Sequence, residues 1–264
     1  MRELLVHLRC LAGGLALLFM MPPGAALASD SEATWESIRP EIFGVRSIED
    51  GASVLDLVAP GRAEDAALVP LDLRIRVPDG AAPVRAVTLV IDENPAPVAA
   101  SFTFDEARRA FDLSTRVRVN SYSFVRAVAE TSDGRLHMVK AYIKAAGGCS
   151  APATKDPAEA TANLGQMRFR IFAGNEAQVQ IRHPNYSGLQ MDQLTRLYTP
   201  AWFVETVSVS QGARPLFRVE GSIGLSEDPT FRFSYRASGE PVTVEAKDTN
   251  GQVFRQQFPG GPAF

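Results

Sequence analysis

The chain has 264 residues, 45% of them apolar and 22% charged, with a formal net charge of −3. Neither sign dominates and no dense Lys/Arg cluster occurs, which argues against nucleic acid and anionic membrane surfaces as partners. Two cysteines and three histidines leave little material for a metal centre or a nucleophilic triad.

The first 28 residues read as a secretory signal. Arg2 and Arg9 supply the positive n-region, and Ala26-Leu27-Ala28 the small residues a signal peptidase needs. The apolar run from Leu11 to Met21 is about 11 residues, well short of the roughly 20 a spanning helix requires. Cys10 precedes that run, so it is no lipid-attachment cysteine, and it leaves with the signal. The expectation is a soluble mature chain from Ser29, exported to the periplasm, where thiols tend to be oxidised.

A short amphipathic helix opens the mature chain, with Trp35, Ile38, Ile42 and Phe43 at helical spacing and Gly44 as its stop. Strand patterns follow at 55–58, 70–77, 84–91, 98–104, 111–119, 124–131 and 136–143. Residues 71, 73, 75 and 77 are apolar against Asp72, Arg74 and Arg76, the period of a half-buried strand. Seven strands without crossover helices predict an antiparallel β-sandwich of immunoglobulin type over 29–145. Residues 146–165 are small, polar and free of aromatics, and predict a hinge-like linker. Inside it Asp156-Pro157-Ala158-Glu159 has the form of a helix start and Gly165 that of a stop. A second strand series, at 167–172, 177–182, 203–210, 216–219, 231–236, 242–247 and 253–258, predicts a second sandwich over 166–264. The fold class is all-β.

The search for catalytic residues is negative. His137 and His183, the two mature histidines, fall in different predicted domains, and no HxxxH, CxxC, GxGxxG or P-loop spacing occurs. The chain does not read as an enzyme. It needs no metal or cofactor beyond what a thiol could carry.

That thiol is Cys149, the one mature cysteine, in Ala145-Ala146-Gly147-Gly148-Cys149-Ser150-Ala151-Pro152. It cannot form an internal disulfide. It is either an incidental or small buried residue, or a reactive group meant for another molecule. Gly147 and Gly148 leave the backbone free, and nothing bulky in the arm would cover the sulfur. Six residues from the last strand, the sulfur could reach roughly 20 Å from the fold. Lys144 and Lys155 flank the arm and could favour a thiolate. A thiol-redox role would need a partner thiol. A second segment, His183-Pro184-Asn185-Tyr186-Ser187-Gly188-Leu189-Gln190-Met191-Asp192, predicts a long ordered loop suited to docking. The competing reading of His183 is a turn residue bonded to backbone.

The order of sandwich, Gly-Gly-Cys arm and sandwich with a His-Pro loop resembles SoxYZ, the sulfur-carrier complex of periplasmic thiosulfate oxidation, with both subunits on one chain. Gly147, Gly148 and Cys149 match the start of the SoxY arm. His183, Pro184, Gly188 and Asp192 match an element of SoxZ, as do Asp228-Pro229-Thr230-Phe231 through Arg236-Ala237. The resemblance implies a non-enzymatic carrier. Cys149 would hold a sulfur-containing group covalently, and the second domain would dock and stabilise. Here the arm runs on through Ser150-Ala151-Pro152 where the SoxY arm ends in two glycines. The fused layout is also similar to a subgroup associated with quinoprotein (PQQ) dehydrogenases. The partners it implies are sulfur-oxidation enzymes, or a quinoprotein dehydrogenase and its cytochrome. The alternative is an immunoglobulin-like accessory module with no covalent cargo.

Overall fold

The computed structural model describes residues 23–152, 157–192 and 195–262, with side chains from 30 onward except that of Pro157. Most of the expected signal, Lys155 and Asp156 therefore lie outside the described residues. No helix among them is long and apolar enough to cross a membrane.

The chain opens with α1 (Pro23–Phe43). It then forms eight strands: β1 (Ile48–Asp50), β2 (Leu55–Val58), β3 (Val69–Arg76), β4 (Val84–Ile91), β5 (Val98–Arg108), β6 (Ala110–Val117), β7 (Ser123–Thr131) and β8 (Leu136–Ile143). The short α2 (Pro157–Ala162) follows the arm. Seven more strands complete the chain: β9 (Met167–Phe172), β10 (Glu176–Ile181), β11 (Val204–Gln211), β12 (Arg214–Gly221), β13 (Thr230–Ser234), β14 (Val242–Asp248) and β15 (Val253–Phe258). The alternation read in β3 is real, with residues 69, 71, 73 and 75 buried and those between them exposed.

The strands make two sheets, and both run through the whole chain. The larger has the order β1-β8-β7-β4-β5-β12-β11-β14-β15, the smaller β2-β3-β6-β13-β10-β9. Each half is a sandwich, but the two are joined edge to edge in both layers. β5 pairs antiparallel with β12, Phe102 opposite Val219, and β6 pairs with β13, Leu113 opposite Phe233. One hydrophobic core runs beneath the seam, and Phe102 meets Phe231 across it at 6.0 Å. The hinge-like linker expected at 146–165 is therefore not the only join between the halves, which share both sheets. Each half carries an otherwise unpaired sheet edge, and pairing these edges satisfies backbone groups that would be left open.

α1 lies over β4 and β7, where Trp35 and Phe43 join a small cluster with Val90, Val128 and Leu136. Beneath Trp35 the buried Arg126 binds Asp92 through Nε at 2.9 Å and Nη2 at 2.8 Å, and reaches Glu32 at 2.9 Å. Ser31 adds a bond to Asp92 at 3.0 Å and receives the Phe124 N–H at 2.9 Å. The helix is therefore fastened by a polar network as well as by apolar contact.

Candidate functional site

Leaving β8, the chain does not project into solvent. The Gly147 N–H donates to Asn120 O at 2.7 Å and the Gly148 N–H to Val119 O at 3.1 Å. Three side chains grip the next carbonyls. Arg118 Nη1 donates to Gly148 O at 3.2 Å, the Ser187 hydroxyl to Cys149 O, and Gln190 Nε2 to Ala151 O at 3.1 Å. Cys149 is 0% exposed. The expectation of an uncovered thiol is therefore corrected. The arm supplies nothing bulky, so the cover comes from elsewhere: the end of β6 on one side and the 183–192 loop on the other.

Small residues are what allow this fit. Gly147 has φ +77°, a conformation side chains disfavour. A Cβ on Gly148 would stand 2.1 Å from Ala66 O and 2.6 Å from Val119 O. The features that read as looseness in the sequence let the arm lie against backbone.

The loop that faces the arm belongs to the second half. His183 is 1% exposed and its Nδ1 accepts the Asn185 N–H at 3.0 Å, which leaves the proton of the neutral ring on Nε2. Nε2 stands 3.5 Å from Asp248 Oδ2, too far for a good hydrogen bond, and Asp248 is held by Trp202 Nε1 at 2.8 Å. Burial keeps His183 below its ordinary value, against the pull of Asp248. His183 is thus a turn residue that shapes the loop. Pro184 is buried beside it, Gly188 takes φ +84°, and the exposed Asp192 caps a turn through the Thr195 N–H at 2.7 Å. Asn185, also with positive φ, receives the Val204 N–H on its side chain at 3.1 Å and presents its carbonyl to Arg118 Nη2 at 3.3 Å. Within the 183–190 stretch Ser187 and Gln190 bind the chain's own arm.

Burial pushes the Cys149 thiol up, and the Arg118 guanidinium pulls partly against that. Seated, the sulfur is shielded, and burial favours its thiol form. The cation that acts on it is Arg118, just past the end of β6, a residue that no motif or spacing marks out. Ser187 and Gln190 were equally silent as grips, although both lie in the segment quoted for its density. Among the described residues no group of His, Cys, Asp and Glu could hold a metal ion.

Comparison with family models matches residues 39–149 to the sulfur oxidation protein SoxY and residues 173–259 to the sulphur oxidation protein SoxZ. The chain is a fused SoxYZ-like protein. No curated protein matches it. Its SoxY match ends at Cys149, and the SoxZ match contains the whole loop that covers this residue. The seat is thus shared: Arg118, Val119 and Asn120 come from the SoxY half, Ser187 and Gln190 from the SoxZ half. Membership of these families ties the chain to sulfur oxidation, among proteins that carry or assist and that work with sulfur-oxidation enzymes.

Proposed function

We propose that this SoxYZ-like chain is a periplasmic, non-enzymatic carrier that holds a sulfur-containing group covalently on Cys149. The observation that carries the reading is the position of the one mature cysteine. It closes the SoxY match and is enclosed jointly by the two halves. A structural cysteine needs only apolar cover. This one sits on a segment held chiefly through main-chain carbonyls and amides, contacts that can be broken and remade without disturbing either sandwich core.

Loading by exchange keeps electrons balanced. The Cys149 thiolate attacks a sulfur of a donor S–S bond, a new S–S bond forms at Cys149, and the other sulfur leaves as a thiolate with the bonding pair. A 0% exposed sulfur cannot make that attack, so the arm must leave its seat first. The signal at 1–28 and the oxidising compartment fit a carrier that needs a place to shelter its thiol. The internal arm, continuing through Ser150-Ala151-Pro152, favours a quinoprotein dehydrogenase system as the setting, because a loop enters a deep enzyme channel less readily than a free end.

Intact-mass measurement of protein isolated from its own periplasm tests the covalent role. The expected result is an added mass lost on reduction and missing from Cys149→Ser. A bare thiol in every preparation, together with full physiological activity of Cys149→Ser, would sink it. That outcome favours the second reading, an accessory module in which Cys149 only packs; the complete burial of the sulfur is the observation in its favour.

A further inference from the structure

Arg118 stands one residue beyond β6 and is 1% exposed. Its Nη1 and Nη2 make long bonds to the carbonyls of Gly148 and Asn185, and its buried Nε has no partner. The other fully buried arginine, Arg126, is clasped by Asp92. Arg118 has no such clasp: Glu227, Cys149 and Asp65 act on it through their fields, and burial is the dominant influence on its guanidinium. A guanidinium does not give up its proton, so a full positive charge is held here by two peptide dipoles. A buried charge with no carboxylate in contact is strongly unfavourable. The one ionisable group in the seat that could supply negative charge is Cys149, and as a neutral thiol it supplies none.

We infer that Arg118 is the counter-ion for a negatively charged adduct on Cys149, so that the loaded seat holds an anionic adduct in preference to a neutral one. The inference rests on the carrier reading and gives Arg118 a part in it, that of telling charged cargo from neutral. Nε is the donor left open for an anion on Cys149, and a charge-assisted bond to it suits the fork of a guanidinium. A neutral adduct adds volume, leaves the guanidinium uncompensated, and frees the arm more readily. Arg118 bonds both the arm and the 183–190 loop, so it reads the cargo at the junction of the two halves.

Two adducts of the full mature chain test this. Methyl methanethiosulfonate gives Cys149–S–S–CH3, as the thiolate attacks the sulfenyl sulfur and methanesulfinate leaves. Sulfite then displaces methanethiolate and gives Cys149–S–SO3−. The first adduct is smaller and neutral, the second larger and anionic, so size and charge pull in opposite directions. The readout is hydrogen exchange at the Gly147 and Gly148 amides, which are bonded to Asn120 and Val119 only when the arm is seated. The sulfonate arm should exchange at least about tenfold more slowly than the methylthio arm, and Arg118→Met should abolish the difference. Equal exchange in the wild-type chain, or faster exchange of the sulfonate arm, overturns the inference with no variant needed. A folded Arg118→Met that keeps the difference overturns it too. A native protein found always bare would defeat the carrier reading while leaving this charge preference standing.

Discussion

Gly148 decides whether the thiol is sheltered. Its missing Cβ would meet two backbone carbonyl oxygens, and backbone cannot step aside as a flexible side chain can. Gly148→Ala should therefore unseat the arm at the cost of one or more of its hydrogen bonds, each worth about 0.5–1.5 kcal/mol. The expected outcome is a rise of about tenfold or more in the rate at which Cys149 reacts with a water-soluble disulfide reagent. An unchanged rate would show that the seat absorbs the methyl group. His183 offers a second test at this scale. Burial holds it below its ordinary value of 6.5, so the unfolded chain takes a proton at higher pH than the folded one. The stabilisation is complete above about pH 6.5 and is lost as pH falls below it. Urea denaturation across pH 5–7 should show a steeper loss for the wild type than for His183→Gln, and parallel curves would refute it. Of these residues Cys149, Gly148 and His183 were legible in the sequence as unusual. Their burial was not, because the groups that cover the arm come from residues 30 and 38 positions away in the chain.

At the scale of elements the sequence was most readable where burial has a period. β3 and β14 fall within one residue of where the alternating pattern placed them, since a half-buried strand must alternate. β1 was missed because Ile48–Asp50 is three residues long and pairs in parallel with β8, a register that shows only once β8 is in place. The fastening of α1 was missed for a related reason. Arg126, Asp92 and Ser31 are each ordinary in sequence and meet only after folding. In that network burial pushes the Asp92 carboxyl up despite the bound guanidinium, the mark of a thoroughly dry site. Asp92→Ala strands the Arg126 charge there and should cost about 3–5 kcal/mol. Glu32, partly exposed, should cost no more than about 1 kcal/mol when changed to Ala. Chemical denaturation of the two variants checks the order, and equal losses would show that α1 is not held through Asp92.

The whole molecule behaves as its seam dictates. Sequence separated two sandwiches by a linker because composition changes there. It could not show that β5 meets β12 and β6 meets β13, pairings that close loops of more than 100 residues. The seam joins both sheets and the core beneath it, so the halves should unfold together despite their separate family matches. The two tryptophans make this measurable, because Trp35 reports on the first half and Trp202 on the second. Phe217 of β12 lies at the centre, 6.1 Å from Phe111 in the other half and 4.8 Å from Phe233 in its own. Phe217→Ala should cost about 3–5 kcal/mol through the cavity it leaves. Placed in a Trp35→Phe background and in a Trp202→Phe background, it should lower the denaturation midpoint seen by the remaining tryptophan by the same amount in both. A shift confined to the Trp202 signal would mean that the halves are only neighbours. The seat of Cys149 would then open by separation of the domains. With a common shift the cores stay joined, and the arm leaves its seat by breaking its own few hydrogen bonds.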